Sequence, residues 1–302
     1  MSMPLWAALP PVSVTAPAKV NLFLHITGRR ADGYHELESL FVFTKGGDRV
    51  TVAAAPEFTF TLEGPFASAL EALGGAGEGN LVSKAVMLLA SHAGLEPNVA
   101  VTLEKNLPVA AGIGGGSSDA AAALLALNQF WKLKLPMSVL EGIALQLGAD
   151  VPACLHQVPL LVRGIGEELK PVSLGSHAGI VLVNPMEPLS TPAVFKAYHV
   201  AAAAFDAPLQ NAEVLCANVH DLAASSRNAL EGAARSICPA VADVLDEFMC
   251  QDGVTLARMS GSGATCFALF ETAEEAEAAA RKIGESRRNW WVMADYLGAG
   301  GG

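Results

Sequence analysis

The run Leu107-Pro108-Val109-Ala110-Ala111-Gly112-Ile113-Gly114-Gly115-Gly116-Ser117-Ser118-Asp119-Ala120 has the composition of an anion cradle. Glycine leaves no side chain between a bulky anion and the backbone, and a helix starting there offers unpaired N–H groups and the positive end of its dipole. Ser117-Ser118-Asp119 suits the opening of such a helix, predicted over residues 117–130. The loop is not of the Walker type, because no Lys-Ser/Thr follows its last glycine, and Gly112-x-Gly114-x-x-Ser117 misses the dinucleotide fingerprint. Two further groups draw attention. In Pro17-Ala18-Lys19-Val20-Asn21-Leu22 a lysine and an asparagine interrupt an apolar strand, and period-two alternation puts them on one face. Taken alone, Lys19 reads equally as an edge-strand lysine facing solvent. Ser260-Gly261-Ser262-Gly263-Ala264-Thr265 is a second glycine-serine turn, which alone could be an ordinary hairpin.

The elements that must carry these groups follow from periodicity and turn chemistry. Strand-like mixtures at 12–20 and 21–27 precede the turn Gly28-Arg29-Arg30-Ala31-Asp32-Gly33, and further strands are predicted at 37–43, 49–53 and 58–62. Helical spacing of Leu81, Ala85, Leu88 and Leu89 marks 80–92, followed by a strand at 99–103, a helix at 137–147 and a strand at 160–163. After Lys170 a new series begins: strand 179–183, helices 191–204, 221–224 and 241–248, strands 257–259 and 266–269, and helix 273–283. Strands mixed with helices in two series predict an α+β chain of two domains, residues 1–164 and 165–302. The glycine-rich end, 298–302, is expected to be disordered.

At 302 residues with 52% hydrophobic and 16% charged side chains, the chain can bury a large core. Its net charge of -11 argues against a broad electrostatic grip on nucleic acid, so any anion must be held locally. Mean hydropathy is positive, yet apolar stretches break before a spanning length of about 20 residues. Residues 1–18 lack the basic segment of a secretory signal, so a cytoplasmic location with no membrane partner is expected. The five cysteines, Cys154, Cys216, Cys238, Cys250 and Cys266, have no CxxC spacing and are expected as buried free thiols. No histidine has metal-ligand spacing; His25, His92, His156, His177, His199 and His220 read as surface or core residues.

Together the three groups resemble the motifs of the GHMP kinase superfamily, which includes galactokinase, homoserine kinase and mevalonate kinase. Within it, Arg30-Ala31-Asp32-Gly33-Tyr34-His35-Glu36-Leu37, Pro17 to Leu22, Leu147-Gly148-Ala149-Asp150-Val151-Pro152 and Met259-Ser260-Gly261-Ser262-Gly263 look like the branch whose alcohol substrate is a cytidine-diphosphate-linked methylerythritol. The resemblance runs from about Ser13 to Phe270. It implies a two-domain GHMP kinase fold, with a ribosomal-protein-like, ATP-binding N-terminal domain and a ferredoxin-like, substrate-binding C-terminal domain, and the active site in the cleft between.

The resemblance also implies roles. Asp150 would be the base for the acceptor hydroxyl and Lys19 its cationic companion. Pro108, Gly112, Gly114, Gly115, Gly116, Ser117 and Ser118 would wrap the phosphates of ATP, with a serine hydroxyl near Mg²⁺. Asn80, Leu81 and Lys105 resemble adenine-side positions, although Asn80 also suits a helix N-cap. Tyr34 and His35 would read the cytosine, with Phe195 as a second aromatic wall and Asn21 and Thr191 on the diphosphate or polyol. Where the family commonly has Asn-Asp-x-Glu, this chain has Asn228-Ala229-Leu230-Glu231. Other readings are a GHMP kinase for a small alcohol such as homoserine, a non-catalytic ligand sensor, and an RNA-binding protein. Tyr34-His35 with Phe195, intact Lys19 and Asp150, and the acidic charge argue against these in turn. A monomer or weak homodimer is expected.

Overall fold

The computed structural model describes residues 10–75, 77, 79–175, 178–201, 204–216 and 218–297; the expected disordered tail and His177 lie outside them. Two long strands open the chain, β1 (Val12–Arg29) and β2 (His35–Ala54). In the turn between them Arg30 N–H donates to the Tyr34 carbonyl at 2.7 Å and Tyr34 N–H to Asp32 Oδ1 at 3.1 Å. The sequence suggests a break in β2 at Lys45-Gly46-Gly47-Asp48, but the strand runs straight through. A Cβ on Gly47 would lie 2.1 Å from the carbonyl oxygen of Ala16 in β1. Glycine here allows a close strand approach rather than a reversal.

The chain forms two compact units. The first holds residues up to Ala18, Gly46–Val109 and Gly114–Gln157; the second holds Lys19–Lys45, Ala110–Ile113 and the residues from Val158 on. The last passage between them falls after Gln157, a few residues before 164; two earlier ones lie in β1 and β2, each of which belongs partly to both units, and two more bound Ala110–Ile113 in the glycine loop.

In the first unit β3 (Thr59–Glu63) runs parallel to β4 (Val99–Glu104), and the second half of β2 lies antiparallel to β4 with Val52 opposite Val101. The parallel pair needs a crossover, supplied by α1 (Ala67–Ala72) and α2 (Leu81–Ala93). Helices α3 (Gly115–Phe130), α4 (Met137–Leu147) and α5 (Val151–His156) follow. Ala120, Ala121, Ala122 and Ala123 of α3 are fully buried, and such small side chains let α2 and α5 pack closely against it. Helix α3 starts ahead of the predicted residue 117: its N-cap is Gly114 at φ 63, and no side chain caps it. A left-handed glycine thus stands where a serine cap was expected, and it offers no side-chain acceptor to the first N–H groups.

In the second unit the first half of β2 pairs with β5 (Leu160–Arg163), and β5 with β6 (Glu168–Pro171). A separate antiparallel sheet is built from β7 (Ala178–Asn184), β8 (Leu256–Met259), β9 (Cys266–Phe270) and β10 (Trp291–Leu297) in the order β10-β7-β9-β8. Helices α6 (Thr191–Val200), α7 (Ala212–Leu215), α8 (Val219–Ser225), α9 (Glu231–Ile237) and α10 (Ala240–Met249) lie between β7 and β8, and α11 (Ala273–Ser286) between β9 and β10. Counted along the chain, the strands stand fourth, first, third and second, with helices after the first and third. That is the βαββαβ order of a ferredoxin-like layer. Val241, Val244 and Phe248 of α10 and Ala276 and Ile283 of α11 bury against Val181, Val183, Cys266 and Phe270. At about 25 cal/mol per Å² of apolar surface, this face holds the layer together.

Four cysteines are buried and free as expected, but Cys250 is exposed at the end of α10, where the helix has run past the core. Among the described residues no helix is long and apolar enough to cross a membrane.

Candidate active site

The glycine loop divides between the units, and each part has its own logic. Gly112, at φ 74, belongs to the second unit. A Cβ there would lie 2.5 Å from the Gly263 carbonyl oxygen, so this glycine is required by the other glycine turn. Two hydrogen bonds fix that meeting: Thr265 N–H donates to the Ala111 carbonyl at 3.2 Å and Ser260 Oγ to the Gly112 carbonyl at 3.2 Å. Ser260-Gly261-Ser262-Gly263 is therefore the clasp of the loop. Lys19 N–H donates to the Ile113 carbonyl at 2.9 Å, and the Lys19 ammonium lies 3.9 Å above the Phe41 ring. Lys19 is a buried lysine, only 5% exposed, which excludes the solvent-facing reading.

In the first unit, α3 offers N–H groups of Gly115, Gly116 and Ser117 ahead of the first intrahelical bond, which Ser118 N–H makes to the Gly114 carbonyl at 2.9 Å. Gly116 is exposed and Ser117 half-buried. Ser118 is buried, its hydroxyl 3.4 Å from Cys154 Sγ, so it faces the core. Leu81 touches the same first turn, because a Cβ on Gly116 would meet Leu81 Cδ1 at 3.9 Å. Asn80 caps α2: its Oδ1 accepts from Val82 N–H at 2.8 Å and its Nδ2 donates to the Gly75 carbonyl at 2.6 Å.

Beneath that turn lies a buried ion cluster that only Lys105 announced. Lys105 Nζ donates to Asp48 Oδ2 and, at 2.8 Å, to Asp119 Oδ2. Asp48 Oδ1 accepts the N–H groups of Asn106 at 2.6 Å and Leu107 at 2.8 Å, while Asp119 Oδ1 is buried without a partner. Burial, opposed by Lys105 and reinforced by Asp48, raises the Asp119 carboxyl to about 8. The two carboxylates raise Lys105 despite its burial, so it stays charged. A Cβ on Gly115 would come within 3.1 Å of Lys105 Nζ, which sets the cluster directly under the anion-facing turn. Asp150 stands at the head of α5 at φ -83, and its side chain does not cap that helix. Its position is that of a turn residue at the start of a helix.

The second unit gathers most of the expected substrate residues. Asn21 Nδ2 donates to Ser39 Oγ at 2.9 Å, its backbone N–H reaches Ser260 Oγ at 3.1 Å, and its Oδ1 is buried without a partner. Thr191 and Ser262 hydroxyls lie 2.7 Å apart. The His35 ring stacks on Phe195 with centroids 4.9 Å apart and planes at 28°. Tyr34 does not join them: it is 62% exposed, and among the described residues it makes no ring contact with either. Tyr198 and His199 join instead, with His199 centred 4.7 Å and Tyr198 6.4 Å from His35. The i, i+3, i+4 spacing of Phe195, Tyr198 and His199 on α6 could have shown them, since those positions share a helix face. His199 is exposed, as its surface reading expects, and its ring also packs on His35.

Asn228 and Glu231 explain themselves locally. Asn228 Nδ2 donates to the carbonyls of Met259 and Gly261, both at 2.8 Å, and Glu231 Oε2 accepts Met259 N–H at 3.2 Å. Both hold the glycine clasp, and Ala229 packs on the core beside them.

Comparison with known proteins follows this geometry. The chain matches the GHMP kinases N terminal domain over residues 80–157 and the GHMP kinases C terminal domain over 202–289. It is 48% identical over 285 residues to a 4-diphosphocytidyl-2-C-methyl-D-erythritol kinase of Chelativorans sp. (strain BNC1), covering 92% of this chain and 94% of that one. A crystal structure of 4-(cytidine 5'-diphospho)-2C-methyl-D-erythritol kinase superposes with TM-score 0.78 at 34% identity, over 95% of this chain and 100% of that one. The mevalonate kinase of L. major in complex with R-mevalonate shares the fold, with TM-score 0.74 at 17% identity over the whole of both chains.

Proposed function

Because the chain belongs to the 4-diphosphocytidyl-2-C-methyl-D-erythritol kinases of the GHMP kinase family, we propose how its own residues carry out that family's reaction. The enzyme is an ATP-dependent kinase that phosphorylates 4-diphosphocytidyl-2-C-methyl-D-erythritol, on its 2-hydroxyl, in the non-mevalonate route to isoprenoid precursors. The observation that carries the substrate reading is the His35–Phe195 stack with its unpartnered His35 Nε2. A flat aromatic face and a single buried polar atom suit a pyrimidine, whose face stacks and whose edge hydrogen-bonds; homoserine and mevalonate offer no such face. The buried acceptor Asn21 Oδ1 suits a hydroxyl of the polyol, and the Thr191–Ser262 hydroxyl pair suits the diphosphate.

For ATP, the N–H groups of Gly115, Gly116 and Ser117 suit phosphate oxygens, and Leu81 on the same turn suits an apolar contact with the nucleotide. Pro108 and Gly112 shape the loop, while Asn80, Lys105 and Ser118 hold it from behind. Mg²⁺ arriving with the nucleotide would be held by the accessible Ser117 hydroxyl oxygen together with phosphate oxygens, where it would neutralise phosphate charge; the N–H donors suit the phosphates and not the metal. Asp150 takes the proton of the acceptor hydroxyl, which must leave as the oxygen attacks phosphorus. Lys19, a buried cation, draws negative charge from the phosphoryl in flight. The two family matches fall on either side of 164 and support a division there: residues 1–164 hold the ATP and catalytic groups together with Asn21 and His35, and 165–302 hold the other substrate residues, Thr191 and Phe195. The test is ADP release with the cytidyl substrate set against homoserine and mevalonate. Equal or greater turnover of either small alcohol would end the substrate reading.

A further inference from the structure

We propose that His199 is a positioning and specificity residue of the base pocket: its ring seats His35 so that the buried Nε2 stays open to the pyrimidine edge. The inference rests on the cytosine reading of His35 and Phe195 and adds a residue to which the expected roles gave no task. Three observations carry it. Helix α6 presents Phe195 and His199 one turn apart, and both pack on the His35 ring, at 4.9 Å and 4.7 Å between centroids. His35 itself leaves the end of a hairpin whose neighbour Tyr34 is exposed, so without α6 its ring would have no fixed seat. Its Nε2 is buried with no hydrogen-bond partner, a state that is costly unless a ligand completes it.

The charge balance around the ring agrees with the geometry. The groups facing His35 are Arg29 from the end of β1, and Tyr198 and His199 from α6. Burial, then His199, then Arg29 all push the His35 pKa below its ordinary value. With the His199 ring 4.7 Å away, positive charge on that side opposes a proton on His35. A neutral imidazole presents one donor and one acceptor, which is what discrimination along a pyrimidine edge requires. The imidazolium would present only donors and would bury a charge against the base.

The sign of the effect follows. If binding needs neutral His35, affinity for the cytidyl substrate is lost as pH falls through the His35 pKa. Replacing His199 by Phe keeps a flat wall and removes the repulsion, so His35 should titrate higher and the acid limb of 1/KM for the cytidyl substrate should move to higher pH. His199→Lys keeps the charge, so its acid limb should stay below that of His199→Phe. His199→Ala removes the seat, and KM for the cytidyl substrate should rise about three- to tenfold, the factor expected of one aromatic contact, with KM for ATP unchanged. The same shifts should appear in the ligand-free enzyme as a change in the NMR titration of the His35 ring.

If the His35 titration is the same in wild type, His199→Phe and His199→Lys, the proposal is overturned whatever the enzyme turns over. If the titration moves but the cytidyl KM profile does not, His199 tunes His35 without serving the base, and the specificity role is overturned. Failure of the cytosine reading itself would look different: wild-type enzyme would show no preference for the cytidyl substrate, while the His35 titration would still respond to His199.

Discussion

A carboxylate at the head of a short helix usually earns its place by capping, and Asp150 does not cap α5. Asp150→Asn keeps shape and polarity and removes the base. Turnover should therefore fall by about a hundredfold or more, with the affinity for a non-hydrolysable ATP analogue nearly unchanged; near-normal turnover would return Asp150 to a turn residue. Lys19→Ala should also lower the rate, and a change confined to the Michaelis constant would make Lys19 a binding group only. At the base pocket, Phe195→Ala removes one face of the His35 stack, and binding of the cytidyl substrate should weaken by about 1–3 kcal/mol. Titration with the ATP analogue is the control, since the contacts proposed for that ligand lie on α3 and not on α6. Equal loss for both ligands would mean that the variant had loosened the fold.

Among the elements, Asn80 separates two uses of one side chain. It caps α2 through Val82 N–H, so Asn80→Ala should cost about 1 kcal/mol of stability and Asn80→Ser should restore most of it. Thermal melts of both variants beside KM for ATP distinguish the uses: a raised KM in Asn80→Ser, whose cap is intact, would reveal a direct contact with the nucleotide. The same double meaning governs what was legible beforehand. Helices α4, α10 and α11 could be read from periodicity, because each has one face on a core, and strands β5, β8 and β9 as short runs between turns, nearly all of whose residues are buried. The Lys45-Gly46-Gly47-Asp48 passage could not, since whether a glycine reverses a strand or admits a neighbour depends on Ala16, a residue about thirty positions away. The start of α3 was misplaced for a related reason: a left-handed glycine cap leaves no side-chain signature. Strand β10 and helices α1, α5, α7 and α9 are too short or too partly buried for a clean period. At the site, Lys19, Asn21, His35 and Phe195 were visible through motif resemblance. Asp48 and Asp119 were not, because a buried ion cluster is assembled from distant segments, each of which looks like an ordinary acidic turn or helix residue.

On the scale of the whole molecule, the Lys105–Asp48–Asp119 cluster should shape the dependence of stability on pH. Asp119 holds its proton to about 8 in the folded chain, against about 3.9 for an ordinary aspartate. Between those values the folded state binds more protons than the unfolded one, so stability should fall as pH rises from about 4 to about 8. Asp119→Asn cannot ionise and should remove that component. Urea midpoints at several pH values in this window would check it, and identical slopes for wild type and variant would show that another group sets the trend. The net charge of -11 adds a background of self-repulsion at neutral pH, which both proteins share and which the comparison cancels.

The clasp between the two glycine turns bears on the order in which this enzyme comes into being. Gly112 is seated only when Ser260, Gly263 and Thr265 lie against it. Growing at roughly 5–20 residues per second, a nascent chain exposes the first turn well before its clasp has been made. Helix α3 and its alanine packing can form early, but the glycine arc in front of it must wait for nearly the last strands of the protein. Ribosome-stalled chains ending before residue 260 should accordingly hold a folded α2–α3 pair and a glycine loop still open to proteases. Release of the segment that carries residues 260–265 would close that loop, so that competence to bind nucleotide is acquired only after those residues have been made.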